Sequence, residues 1–212
     1  MAEVQPILLY ESPTSSNCQR VKVVLEEKKL PYQTVRIDLK KGDQKRPDFL
    51  KLNPYGKVPV IVDGDTVVYE SCIINEYLND KYPEPPLMPE NPAQRAKIRI
   101  LTDYGVNHLF TTHRALRDEM SKAENEREPT AISKARKDLQ ILLLRFEQEM
   151  GDQAYLAGNS VSLLDTNFVA RFVQWERFGV LPDPSLPRLG AWLNRMKQRP
   201  SVKVIPQVLP PA

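Results

Sequence analysis

The run Ser15-Ser16-Asn17 lies between an apolar segment, Ile7 to Tyr10, and a stretch of helical periodicity that begins near Cys18. A helix N-terminus leaves backbone N–H groups without intrahelical acceptors, and together with the helix dipole these stabilise an anion. A hydroxyl there can donate a hydrogen bond to a bound thiolate without itself becoming covalent. The same three residues, Ser15 and Ser16 included, also make an ordinary helix cap. Cys18 competes for the chemical role, since a thiol near a helix N-terminus can have a lowered pKa; its place just inside the helix equally suits a small buried residue.

Two further constellations follow. In Asn53-Pro54-Tyr55-Gly56-Lys57-Val58-Pro59, the last proline stands at a strand entrance with no amide hydrogen to offer. This predicts an irregular site with a cis Val58-Pro59 bond, which would leave the Val58 N–H and C=O for an extended peptide ligand. A simple edge-strand proline is the alternative. At Glu70-Ser71, Ser71 and the first amides of a new helix could take a carboxylate while Glu70 accepts an ammonium group. Such a pair suits the end of an amino acid, although capping alone also explains Ser71.

Other chemistries fit the sequence poorly. No GxSxG elbow is present, and the only histidines, His108 and His113, both fall far from Ser15, so a Ser-His-Asp hydrolase is not expected. Those histidines are five apart and lie on different helix faces without a nearby cysteine, so no metal site is expected. Cys18 and Cys72 are too few and too far apart for a disulfide framework or a CxxC redox site. Positive and negative residues balance at 12 each over residues 1–83 and stand at 18 against 15 beyond, within a net charge of +3. The densest basic run, KKGDQKR at 40–46, holds an aspartate and no stacking aromatic, so nucleic acid is not an expected partner. No apolar run approaches membrane-spanning length, and MAEVQPILLYESP has neither the basic flank nor the cleavage pattern of a secretory signal. A cytoplasmic protein without membrane contact is expected.

The elements that must position these residues follow from periodicity. Residues 7–10 read as a strand, residues 18–29 as a helix with Val21, Val24, Leu25 and the Lys28 stem inward, and LPYQTVRIDL as a second strand burying Val35, Ile37 and Leu39. PDFLKLN is a short helix, KVPVIVDGDTVVYES a hairpin turning at Asp63-Gly64-Asp65, and a helix through Lys81 buries Ile73, Ile74, Tyr77 and Leu78. YPEPPLMPENP, with five prolines, is a stiff connection and a domain boundary. Beyond it the pattern is helical throughout. Asn91-Pro92 opens a helix carrying Ile98, Leu101, Tyr104 and Leu109; a second carries Ile132, Ala135, Leu139, Leu142, Leu143 and Phe146 to Gly151. Ser162 to Asp165 has capping-box spacing before Phe168, Phe172 and Trp175, and Pro187 opens a last helix.

YESPTSSNCQRV, LNPYGKVPVIVDG and VVYESCIINEYL, in this order over residues 6–82, resemble the glutathione transferase family. NSVSLLDTNF extends the resemblance into the helical half, where Ser162 and Asp165 are similar to the family's capping motif. The resemblance implies an α/β plus all-α fold: a thioredoxin-like glutathione-binding domain over 1–83, a proline-rich linker over 84–92, and a helical electrophile-binding domain over 93–212. It implies glutathione as co-substrate and a small electrophile as substrate, in a homodimer. Ser15 would orient and stabilise the glutathione thiolate, Val58 beside cis-Pro59 would bind the cysteinyl backbone, Glu70 and Ser71 would hold the γ-glutamyl end, and Lys57 would approach the glycyl carboxylate. Tyr104, Phe110 and Trp175 are candidates for the electrophile pocket, though their spacing also fits core packing.

The class pattern most similar to this chain is zeta, whose Ser-Ser-Cys run aligns with Ser15-Ser16-Asn17, so Asn17 stands where that class has a thiol. Trp175-Glu176-Arg177-Phe178 resembles the Glu-Arg-Phe end of a helix in the same class, and Arg177 would either meet an acidic substrate or form a salt bridge. Two alternatives to a transferase stay open: a glutathione-dependent isomerase, such as a maleylacetoacetate isomerase, and a noncatalytic glutathione-binding protein.

Overall fold

The computed structural model describes residues 5–206. The first six elements are β1 (Ile7–Glu11), α1 (Ser16–Glu27), β2 (Tyr32–Arg36), α2 (Pro47–Leu52), β3 (Val60–Asp63) and β4 (Thr66–Tyr69), followed by α3 (Ser71–Lys81). The four strands form one sheet in the order β2-β1-β3-β4, with β2 parallel to β1 and the β3-β4 hairpin antiparallel. This is the expected thioredoxin-like βαβ unit followed by ββα.

Helix α1 is more deeply set than its amphipathic pattern predicts. Val21, Val23, Val24 and Leu25 are all fully buried, and so are the neighbouring Gln19 and Arg20. Each fully buried aliphatic side chain contributes about 1.5–3 kcal/mol, enough to carry two polar neighbours inward provided they find partners. Donors of both do: Gln19 donates to the Pro13 carbonyl at 2.9 Å and Arg20 to the Cys72 sulfur at 2.9 Å, while among the described residues the Gln19 Oε1 stays buried without a partner. Lys28, whose stem was expected inward, ends by donating to the carbonyls of Tyr82 and Pro85 at 2.7 and 2.8 Å. It thereby ties the end of α1 to the proline-rich connection.

Two sequence expectations are corrected here. The second strand ends at Arg36, so Leu39 lies beyond the pleat and is 38% exposed instead of continuing a buried face. Ile73, in the first turn of α3, is 58% exposed, because Ile74 and Leu78 already occupy the face that α3 turns inward.

The helical unit comprises α4 (Pro92–Tyr104), α5 (Phe110–Met120), α6 (Pro129–Met150), α7 (Leu163–Arg177) and α8 (Pro187–Lys197). Asn91 caps α4 as expected, accepting the N–H groups of Ala93 and Gln94. The periodic stretch from Ile98 to Leu109 is not one regular helix: residues Gly105–Leu109 form a π-helical turn before α5. A Cβ on Gly105 would sit 2.2 Å from the Phe168 ring, so the turn packs where only glycine allows α7 to approach.

Helix α7 is the axis of this unit, with every residue from Leu163 to Trp175 buried. Its start is held by Asp165, which accepts the Ser162 N–H and hydroxyl at 2.8 and 2.7 Å. The same carboxylate accepts the Leu156 N–H at 2.9 Å and the Trp192 indole N–H at 2.7 Å. The capping box read from the sequence is therefore also the junction between α7, α8 and the preceding loop.

Contacts divide the chain inside the proline-rich stretch, between Leu87 and Met88. At the other end they differ from the expected boundary: among the described residues, 200–206 group with the first unit, where Ser201 donates to Glu27 at 2.5 Å. The first four and last six residues of the expected domains lie outside the described residues. Among the described residues no helix is long and apolar enough to cross a membrane, and no group of three or more His, Cys, Asp or Glu could hold a metal.

Candidate functional site

Ser15 is the N-cap of α1, with extended backbone at φ −79°, ψ 115°. Its Oγ accepts the Cys18 N–H at 3.4 Å, a long bond, and its hydroxyl also lies within hydrogen-bond reach of the Cys18 thiol. Cys18 itself is fully buried, packed with Ile37, Phe49, Val58 and Val60. Burial pushes its thiol up to about 11, so the competing nucleophile is protonated and shielded at neutral pH.

The loop into β3 is set by the first residue of the Asn53–Pro59 run, to which the sequence alone assigns no role. Asn53, 1% exposed, donates from its side-chain amide to the Lys57 carbonyl at 2.7 Å and accepts the Tyr55 N–H at 3.0 Å. An Asn directly before Pro at the end of a short helix was the available signal, since such side chains mimic a backbone turn. Gly56 follows with φ +59°, and a Cβ there would lie 3.0 Å from the Gln44 carbonyl oxygen. The loop therefore has little freedom to place Lys57 and Val58 elsewhere. The Val58-Pro59 bond is cis.

Glu70 joins β4 to α3 with φ +67°, ψ 110°, a conformation rare for a residue with a side chain. Such backbone costs on the order of 1–3 kcal/mol and persists only where the surroundings over-determine it. The Glu70 carbonyl begins α3 by accepting the Ile74 N–H at 2.8 Å, while the exposed side chain stands at the helix N-terminus beside buried Ser71.

Lys57, Val58, Pro59, Glu70 and Ser71 line one recess, and Asn17 and Asn53 complete it. Three segments separated along the chain thus meet: the first turn of α1, the entrance to β3 and the start of α3. Ser15 is two residues from Asn17 at the same helix end. The enclosed part of the recess is only about 30 Å³, so it can seat an end group while the rest of a ligand lies across its mouth.

The four candidates in the helical unit differ in what they offer. Trp175 is corrected to a core residue: it is fully buried, packs edge-on against Phe172 with centroids 4.8 Å apart, and donates its indole N–H to His113 Nδ1 at 3.0 Å. Tyr104 is half-buried, donating to the Leu142 carbonyl at 3.1 Å with the Arg145 guanidinium 4.7 Å above its ring. Phe110 is 38% exposed, with Arg171 stacked 4.8 Å from its ring. Arg177 is half-buried, and desolvation lowers its pKa from the usual guanidinium value.

Residues 9–86 match the family model of the glutathione S-transferase N-terminal domain, and residues 104–200 match that of the C-terminal domain. Glutathione S-transferase 3 of Zea mays is 31% identical over 218 residues, covering 98% of either chain. Glutathione S-transferase Z2 of Arabidopsis thaliana is 38% identical over 157 residues, 70% of either chain. Among solved structures, the theta class glutathione S-transferase of Xanthomonas axonopodis pv. citri with glutathione bound matches with a TM-score of 0.88 and 28% identity, covering 97% of this chain and all of that one. The one relative among these whose name states a class is of the theta class, so the matches do not single out the zeta pattern. Both domain models and a relative matched along nearly its whole length agree, and the chain belongs to the glutathione S-transferase family.

Proposed function

We propose that the chain is a glutathione transferase that holds the glutathione thiolate at the N-terminus of α1 for attack on small electrophiles. The observation that carries this reading is the recess in which Glu70, Ser71, Val58, Pro59 and Lys57 converge within reach of the Ser15 helix end. Glu70 would take the γ-glutamyl ammonium and Ser71, with the first amides of α3, its carboxylate. Val58 would align the cysteinyl backbone, and Lys57 would face the glycyl carboxylate. Glutathione is then the co-substrate, and residues 1–83 bind it.

Ser15 would donate its hydroxyl hydrogen to the sulfur, and the N-terminal end of the α1 dipole would add positive potential. The thiol proton leaves to solvent, the thiolate forms a carbon–sulfur bond, and the displaced electron pair departs with the leaving group or stays on the acceptor. In the helical unit Phe110, the most accessible aromatic candidate, and Tyr104 next would contact the electrophile. Arg177 would serve an acidic substrate. The expected assembly is a homodimer.

A panel of electrophiles and isomerisable substrates incubated with glutathione tests the reaction class. Conjugates heavier by the glutathione adduct support the transferase. Rearrangement at constant mass identifies an isomerase using the same thiolate, and binding without turnover identifies a noncatalytic glutathione-binding protein.

A further inference from the structure

The turn into α5 presents an apolar strip that runs into a cationic side chain. Val106, in the π-helical turn, and Phe110, at the start of α5, are both exposed. Arg114 stands four residues beyond Phe110 in the same helix, which puts the two on one face about 6 Å apart along the axis. Arg114 is exposed, and among the described residues it makes no hydrogen bond, ion pair or ring contact.

The charges around this strip do not cancel. Asp118 accepts the Arg117 Nε–H and a terminal N–H at 3.1 and 2.7 Å, Glu119 accepts Lys122 at 2.5 Å, and Asp103 accepts the Asn107 side-chain N–H at 2.8 Å. Every acidic side chain between residues 103 and 120 is therefore already partnered, and on α7 Glu176 accepts Lys197 at 2.8 Å. Arg171, buried in α7, brings a second guanidinium to 4.8 Å from the Phe110 ring. Buried His113, next to Arg114 in the chain, registers the sign of the field: after burial itself, Arg171 and then Arg117 lower its proton affinity, and Asp118 opposes them less. A positive field beside an exposed ring attracts an anion, and the ring favours one with an aromatic body.

We infer that Arg114 selects the electrophile, which is an aromatic compound carrying a carboxylate, with its ring on Phe110 and its carboxylate on Arg114. The inference rests on the proposed transferase reading and narrows its substrate class, placing the acidic group on α5 and not on Arg177. Arg114 acts on acceptor binding alone; the glutathione sulfur still forms the new bond to carbon, and the leaving group departs with the displaced electron pair.

The test compares para-(chloromethyl)benzoate with para-(chloromethyl)benzamide as acceptors for glutathione in wild type, Arg114→Gln and Arg114→Lys. In both compounds sulfur bonds to the benzylic carbon and chloride leaves, so the amide isolates the effect of charge. The expected wild-type kcat/KM favours the acid roughly tenfold once the uncatalysed rates are subtracted, a preference lost through KM in Arg114→Gln and largely kept in Arg114→Lys. Unchanged thermal melting checks the folding of both variants. Equal kcat/KM for acid and amide in wild type, a preference untouched in Arg114→Gln, or a preference lost in Arg177→Gln alone would each overturn the assignment. If neither compound yields a conjugate, the transferase reading falls, and calorimetric titration with unreactive para-methylbenzoate still decides the carboxylate site. Weaker binding in Arg114→Gln supports it there, and equal or absent binding overturns it.

Discussion

Ser15 and Cys18 are joined at the start of α1 but have opposite fates: the Ser15 carbonyl and Oγ accept the Cys18 N–H at 3.0 and 3.4 Å at the helix end, while the Cys18 thiol is buried in the core. The cap geometry that holds the serine at the helix end is the geometry that removes the cysteine from solvent. Two residues that compete on sequence position alone are separated by one helical turn.

This separation predicts the pattern of thiol labelling. Iodoacetamide applied to the native protein should modify Cys72, which is half-exposed, and leave Cys18 unmodified until denaturant is added. Intact-mass analysis counts the adducts. Cys18→Ala should cost about 1–3 kcal/mol of stability through the lost core contacts while keeping turnover. Rapid native labelling of Cys18, or turnover abolished in a folded Cys18→Ala, would return it to consideration.

Glu70 offers a test in which stability and function move apart. Its backbone strain makes glycine the easier residue at that position, so Glu70→Gly should unfold at an equal or higher urea concentration than wild type. Glutathione affinity should fall roughly tenfold or more, because the acceptor for the ammonium group is gone. Loss of stability together with unchanged affinity would make Glu70 a structural residue only.

Gly56→Ala acts on the neighbouring wall. The added methyl meets the Gln44 carbonyl at 3.0 Å in a backbone with positive φ, so the loop carrying Lys57 and Val58 must shift. A destabilisation of about 1–3 kcal/mol is expected, with weaker glutathione binding measured at temperatures where the variant is fully folded. An unaltered affinity would show that the loop does not shape the site.

His113 should set part of the acid sensitivity of the helical unit. It is 2% exposed, and its Nδ1 accepts the Trp175 indole N–H, which places its own proton on Nε2. Burial, with Arg171 and Arg117 adding to it, pushes its pKa down to about 3 from an ordinary 6.5. Between these values the unfolded chain binds a proton that the folded chain does not. Stability from this group is therefore complete above the unfolded value and is lost as pH falls from 6.5 toward 3. His113→Asn keeps an acceptor for the indole. Urea unfolding between about pH 4.5 and 7 should show wild type losing up to about 1.4 kcal/mol per pH unit more than this variant. Parallel curves would contradict the assignment.

The sequence was most legible where local chemistry and tertiary demand coincide. Asp63-Gly64-Asp65 turned the hairpin, Asn91 capped α4, and Ser162 with Asp165 opened α7, because each effect acts within a few residues. The residues of the recess were legible as separate segments. Their convergence needed the sheet order β2-β1-β3-β4, which no local pattern encodes. Burial of Arg20 and His113 was not legible, since each depends on a partner 52 or 62 residues away, Cys72 and Trp175. Trp175 misled for the same reason, because aromatic residues at helical spacing line a core or a pocket equally well. Ile73 shows the reverse error: an apolar residue beside two buried ones need not share their face.

The central claim is that Ser15 stabilises the thiolate of bound glutathione. Its most direct measurement is a spectroscopic pH titration of the bound thiol in wild type and Ser15→Ala, with glutathione at saturating concentration. The account predicts that the variant still binds glutathione while the thiol pKa rises by roughly one unit or more, equivalent to about 1.4 kcal/mol of lost thiolate stabilisation. Identical titrations in a folded, glutathione-saturated Ser15→Ala would contradict it.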